Sequence, residues 1–260
     1  MTPLCIRIHR EYNRLHKLAL RLLWQIQGKD MPRVYMFHSV VDTMEQVYSQ
    51  FAITKQSFEQ FIEHHVNKGY CAMDAEALCK AIENPKDYKN HYCVSFDDIY
   101  DSVYTNAYPI LKKHNIPFVI FVTDELVGKV DPWSKMPMIS EKHLREMLAD
   151  QLCILASHGM EHKMFRDYTH AEAVKALVDS KRILAEKYGR EVEIFAFPFG
   201  RRVEVGNDAI RCVKEAGYKY GFSALDGSLE QRWLSGRWFL PRVLVDETYV
   251  RELTNERVRE

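Results

Sequence analysis

Three short runs carry the residues best suited to chemistry: Ser95-Phe96-Asp97-Asp98, Ser157-His158-Gly159-Met160-Glu161-His162, and Phe195-Ala196-Phe197-Pro198-Phe199-Gly200. Adjacent carboxylates can divide their labour, one ligating a cation while the other takes a proton from water. The plainer use of Asp98 or Asp101 is to cap the following helix by accepting from its free N–H groups. Two imidazoles four residues apart, His158 and His162, can reach one cation, and Asp98 supplies an oxygen ligand. Two histidines and one carboxylate with an open position describe a catalytic zinc or a non-haem iron site. The same residues spell the inverted zinc-protease pattern H-x-x-E-H, which belongs on a long helix and uses the glutamate as base. Here Gly159 lies between the histidines and an apolar run precedes them, so Glu161 is expected to be a bystander. In the third run, proline stops strand pairing and the turn presents aromatic surface with the Phe199 N–H. Beside a metal, Pro198 and Phe199 become a candidate sugar platform, and that N–H a candidate oxyanion donor.

The elements that must position these runs alternate strand with helix. Strand-like segments are expected at Val34–His38, His91–Phe96, Phe118–Val122, Leu152–Ala156, Ile194–Phe197 and Lys219–Ser223. Helical patterns fall between them: a helix capped by Ser57 and bearing Phe58, Phe61, Ile62, His65 and Val66, closed by Gly69, then helices near 74–82, 101–114, 140–149, 170–187 and 207–216. Such alternation implies parallel βαβ units. The runs VIFV and CILA are apolar throughout, as strands covered on both faces should be. A single barrel-like α/β domain over 31–260 follows, and barrels of this kind place chemistry at the carboxyl ends of their strands. All three runs sit at such ends.

The whole chain sets limits on partners and compartment. Its 260 residues carry 36 Lys plus Arg and 36 Asp plus Glu, so no basic surplus points to nucleic acid. Six cysteines without paired spacing suggest a reducing compartment rather than a disulfide framework. Residues 1–30 show an amphipathic helical pattern through Ile8, Tyr12, Leu15, Leu18, Leu22 and Ile26, flanked by Arg7, Arg10, Arg14, Lys17 and Arg21. Such a helix either docks on the main domain or lies on an anionic membrane surface through residues 1–28. The charges interrupt every apolar run, so no signal-peptide core forms. The expected location is cytoplasmic, with peripheral membrane contact as the second use of that helix.

In order and context, SFDD, HGMEH and AFPFG resemble the motifs of the polysaccharide deacetylases with the NodB homology domain, carbohydrate esterase family 4. Met36-Phe37-His38-Ser39-Val40, the segment 53–70, Asn115–Val119 and Leu240-Pro241-Arg242-Val243 extend the likeness over about 33–246. The resemblance implies a distorted (β/α) barrel and a metal-dependent hydrolase that removes an N-acetyl group from an amino sugar in a glycan or glycan precursor. It implies Asp97 as general base, Asp98, His158 and His162 as ligands of one divalent ion, most commonly zinc, and the Phe199 N–H as oxyanion donor. A carbohydrate bearing an N-acyl amino sugar would be its partner. Three departures stand out. Ala196 occupies the place of an arginine that steadies the base, with Arg201, Arg202 and Arg242 as candidate replacements. No histidine follows His170 to protonate the leaving amine, so His38 either takes that role and contacts substrate or is a hydrogen-bonded strand-end residue. Ile99 stands where a glycine usually follows the aspartate pair. A deformylase or other amide hydrolase, and a non-catalytic carbohydrate-binding relative, remain open readings.

Overall fold

The computed structural model describes residues 30–44, 51–234 and 236–255. The expected helix over 1–30 lies outside them. The described residues form ten strands: β1 (Arg33–Phe37), β2 (Ser39–Val41), β3 (Ala52–Thr54), β4 (Cys71–Ala72), β5 (His91–Asp97), β6 (Phe118–Val122), β7 (Cys153–Ser157), β8 (Ile194–Ala196), β9 (Tyr220–Phe222) and β10 (Val243–Leu244). The main sheet runs β10-β1-β5-β6-β7-β8-β9, all parallel, with β4 added beside the start of β5. The segment before β10 brings the two edges of the sheet together. Leu240 bridges to Phe222 of β9, while Val243 and Leu244 pair with Tyr35 and Met36 of β1. The sheet therefore curls into a distorted barrel, as the alternation of elements predicts.

Side-chain alternation explains the stability of the wall. Along β6, Phe118, Ile120 and Val122 pack outward against the helices, while Val119 and Phe121 join the inner cluster with Cys93, Ala156, Ala196 and Phe222. All five β6 residues are buried, each contributing roughly 1.5–3 kcal/mol of apolar burial. The period of two also aims the chemistry. Asp97 shares the inward face of β5 with Cys93, and His158 continues the inward face that Ile154 and Ala156 occupy on β7.

Three local expectations need correction. The first helix is capped by Thr54 rather than Ser57: Thr54 is extended, its Oγ1 accepts from Ser57 N–H at 3.2 Å, and the helix runs Lys55–Asn67. On that helix Val66 is exposed rather than core-facing. The helix expected at 101–114 is a π-helical turn, Val103–Ala107, leading into an α-helix, Tyr108–Lys113. Pro109 has no N–H and its ring crowds the preceding turn, so the chain widens before it, with Tyr108 N–H reaching back to Val103.

Candidate active site and metal centre

The paired aspartates diverge because the backbone turns sharply between them. Asp97 ends β5, and Asp98 and Ile99 then adopt positive φ, 63° and 56°. A β-branched residue in this region is an outlier that costs about 1–2 kcal/mol. Ile99 is held there by burial, at 1% exposure, and by its carbonyl accepting from Ile139 N–H at 2.8 Å. The position where the resemblance leads one to expect glycine therefore does hold a left-handed residue.

Asp97 faces Arg242. Both of its oxygens accept from the guanidinium, at 2.6 and 2.7 Å, and Arg242 Nε donates to Ser223 O at 2.9 Å. The guanidinium also lies over the Phe121 ring at 5.0 Å. Burial by itself would push the Asp97 carboxyl up, but Arg242, His158 and His38 outweigh it and hold it below its ordinary value. Of the three arginines expected as replacements for the missing third-motif arginine, Arg242 reaches Asp97. Arg201 pairs with Glu204, and Arg202 lies over Phe239.

Asp98 faces the histidines. Its Oδ1 lies 3.1 Å from His162 Nε2 and 3.5 Å from His158 Nε2, which is itself 4.0 Å from Asp97 Oδ2. His158 Nδ1 donates to Ala196 O at 2.9 Å, which leaves the Nε2 lone pair pointing at the carboxylates. Burial lowers the His158 pKa to about 4, even with both aspartates opposing it, so that lone pair stays free. Burial would also raise Asp98 and lower His162. Their mutual attraction wins in both, holding Asp98 down and His162 up. Asp98 Oδ1 is buried and accepts no hydrogen bond, although two ring nitrogens crowd it. Two nitrogens and one oxygen within 4.8 Å of one another are donors of the kind a divalent cation takes, and a cation among them would satisfy the orphaned oxygen. These residues fit the expected ion.

The remaining sequence candidates fall around this centre. His38 follows β1, stacks on Phe51 at 4.9 Å and has a buried Nδ1 without a hydrogen-bond partner. Burial lowers its pKa, while Asp97 and Asp98 act to raise it. Phe199, at φ 61°, is half-exposed with its ring 4.6 Å from His162. Its N–H has no protein acceptor among the described residues. Gly200 follows at φ 64°, where any Cβ would meet Ala224 N at 2.5 Å, so the turn requires glycine. Pro198 is buried beneath the turn near Gly159 and shapes it, leaving Phe199 as the exposed surface. Glu161 is exposed, and residues 158–164 are irregular rather than helical, which removes the structural basis of the zinc-protease pattern. Asp101 caps neither π-turn nor helix of its own segment. Instead its Oδ1 accepts from Ser140 N–H and lies 2.7 Å from His143 Nδ1.

Trp133 is a site residue that the motifs did not reveal. It is 64% exposed, and its ring meets the His162 ring edge-on at 5.7 Å. The loop that carries it is rigidly built. Asp131 is buried and accepts from Ser134 N–H at 2.6 Å and from Tyr100 Oη at 3.3 Å, and Val130 bridges Pro137. The Asp131-Pro132 step before an aromatic residue is the available signal, a turn within the long loop that follows β6.

A family profile described as polysaccharide deacetylase matches residues 84–221, which include all three motifs. The chain belongs to the polysaccharide deacetylase family. Among curated members, it is 29% identical over 167 residues to a poly-beta-1,6-N-acetyl-D-glucosamine N-deacetylase of Staphylococcus aureus, covering 61% of this chain and 56% of that protein. The Staphylococcus epidermidis protein of the same name is 27% identical over 218 residues, covering 78% of this chain and 72% of the relative. The match thus spans little more than half the length of the Staphylococcus aureus deacetylase. Solved deacetylase structures share the fold: IcaB from Ammonifex degensii with a TM-score of 0.73 at 22% identity, covering 88% of this chain and 97% of that one, and Streptococcus pyogenes PplD in complex with acetate at 0.70 and 21%, covering 86% and 97%. Among the described residues no helix is long and apolar enough to cross a membrane.

Proposed function

We propose that this deacetylase-family protein is a metal-dependent hydrolase that removes N-acetyl groups from a polymer of amino sugars. The observation that carries the reading is the convergence of Asp98 Oδ1, His158 Nε2 and His162 Nε2 beside an ionised Asp97, in a family whose curated relatives are named N-deacetylases of poly-β-1,6-N-acetylglucosamine. Asp98, His158 and His162 would hold a single divalent ion, zinc being the best fit to two imidazoles and a carboxylate with an open position. Such an ion supplies Lewis-acid polarisation of the acyl carbonyl and lowers the pKa of bound water.

The chain's own groups do the rest. Asp97, kept ionised by Arg242, takes the proton from the attacking water. The Phe199 N–H points from a glycine-braced turn and stabilises the oxygen that becomes negative as the carbonyl carbon turns tetrahedral. His38 lies in the field of both aspartates with a free ring nitrogen, and is placed to pass a proton to the departing amine. No histidine beyond His170 competes for that role. Phe199 and Trp133, both exposed and both against the His162 ring, offer aromatic surface to sugar.

The test is amine release from β-1,6-linked N-acetylglucosamine oligomers by purified, zinc-loaded protein. Asp97→Asn should keep metal content and slow turnover by roughly 10²–10⁴, the usual span for losing a general base. Asp98→Asn should first weaken metal affinity, with activity partly restored by added metal. Full activity in metal-free protein would end the reading.

A further inference from the structure

A second group of metal-type donors lies away from the active site, where the helix His170–Tyr188 begins against the helix Ala209–Glu215. His170, Asp208 and Cys212 each offer a ligand atom, all within 4.8 Å of one another. His170 Nδ1 lies 2.5 Å from Asp208 Oδ2, 3.3 Å from Cys212 Sγ and 3.1 Å from Arg211 Nη2. The other ring nitrogen, Nε2, is 2.8 Å from Glu215 Oε2.

With both ring nitrogens protonated, the imidazole donates to Asp208 and to Glu215, while Arg211 Nη2 donates to Asp208 at 3.3 Å. A cation bound here takes the place of the Nδ1 proton, which leaves to solvent. Placing the proton on Nε2, donated to Glu215, reproduces the carboxylate–histidine arrangement that orients metal-ligating imidazoles. The Nδ1 lone pair then faces the thiol and the Asp208 oxygen. His158 is set in the same way in the active site, through Ala196 O.

We propose that His170, Asp208 and Cys212 form a second divalent-cation site of the zinc class, with Glu215 orienting the imidazole. Nitrogen, sulfur and oxygen donors together select a borderline, thiophilic ion over magnesium or calcium. Tetrahedral bonds of about 2.0–2.3 Å set ligand atoms roughly 3.3–3.6 Å apart. Cys212 Sγ and His170 Nδ1 already match that separation. Asp208, half-exposed, needs to withdraw by under about 1 Å to match the same spacing. On binding, the Cys212 thiol loses its proton to solvent as the sulfur–metal bond forms, and Arg211 turns to Glu215, 3.5 Å from its Nε. Burial, with Asp208 and Glu215 nearby, pushes the Cys212 thiol up to about 11, so in the apo protein it remains a thiol until a cation displaces the proton.

The position gives this site a purpose. His170 begins the helix that follows the His162 loop, and Asp208 and Cys212 lie just beyond the Phe199 turn. A cation there ties together the two segments that present His162 and Phe199, alongside the Arg166 Nη1 to Val203 O bond at 3.0 Å.

Cobalt(II) titration of the full chain tests this, because the active-site donors include no sulfur. Thiolate-to-cobalt charge transfer should appear in the near ultraviolet, with two metal equivalents bound at equilibrium dialysis. Cys212→Ser should abolish the band and one equivalent, and Cys71→Ser should leave both. His170→Gln, a surface change that spares the thiol, should weaken cobalt binding at this site, and Glu215→Gln should weaken it roughly 10–100-fold. Arg211→Ala, which removes a competing cation, should tighten it. Absence of the band at saturating cobalt, or its persistence in Cys212→Ser, overturns the proposal whatever the enzyme's activity.

Discussion

Replacing Arg242 with methionine isolates what the Asp97–Arg242 pair contributes. The guanidinium is fully buried and Asp97 is 3% exposed, so the variant leaves a carboxylate inside the barrel with its two strongest donors gone. Breaking a buried pair from one side costs about 3–5 kcal/mol, against a total of about 5–15 for a domain. In the native protein Asp97 is depressed, so its contribution to stability is present above the unfolded carboxyl value, about 3.9, and is lost as pH falls through the folded value. Without Arg242, burial dominates and the folded value rises above 3.9. The sign then reverses: the variant gains stability relative to wild type as the pH is lowered. Urea denaturation at several pH values reads the first effect, and the acid limb of kcat/KM on a glycan oligomer reads the second. That limb should move to higher pH. Arg242→Lys keeps the charge but loses the fork, and should fall between the two if methionine prevents folding. Adding Asp97→Asn to Arg242→Met should recover part of the lost stability, since the stranded charge is gone. A loss under about 1 kcal/mol with an unmoved acid limb would refute the claim that Arg242 holds the base ionised.

Three further outcomes are expected. Glu161→Gln should leave amine release largely intact, because Glu161 is exposed outside the donor cluster; loss of nearly all turnover with metal content unchanged would restore the protease-type base. Trp133→Ala should raise KM for glycan oligomers by roughly tenfold with a smaller change in kcat, as losing one ring contact of about 0.5–1.5 kcal/mol plus its apolar area implies. Ile99→Gly should remove about 1–2 kcal/mol of backbone strain but forfeit a buried side chain worth about 2–5, so denaturation should show net loss, and Ile99→Ala, which keeps the strain, should lose more.

The parts legible in sequence were those set by period and order. Continuous apolar runs such as VIFV marked strands buried on both faces, and the motifs fell at strand ends, where parallel barrels gather their chemistry. Less legible was anything decided by distant partners. Arg242 stands 145 residues from Asp97, and only the ring of strands shows which of three arginines reaches the base. The π-turn before Pro109 and the two-residue strands β4 and β10 carry almost no periodic signal. The helix Glu247–Asn255 was missed, although Glu247 accepts from Ser57 Oγ and Thr54 N–H and so anchors the first helix. The loop of Trp133 matches no motif, and its exposure beside His162 is a property of packing.

The segment Leu240–Leu244 both joins the edges of the sheet and carries the partner of Asp97. On a ribosome, Asp97 and the histidines emerge long before it. Until that segment docks, the nascent barrel holds an open seam, with an unneutralised carboxylate on its inner face. Closure of the wall and neutralisation of Asp97 are thus one event. Under the proposed function, a cut or misfold near residue 242 should abolish amine release rather than leave it weak.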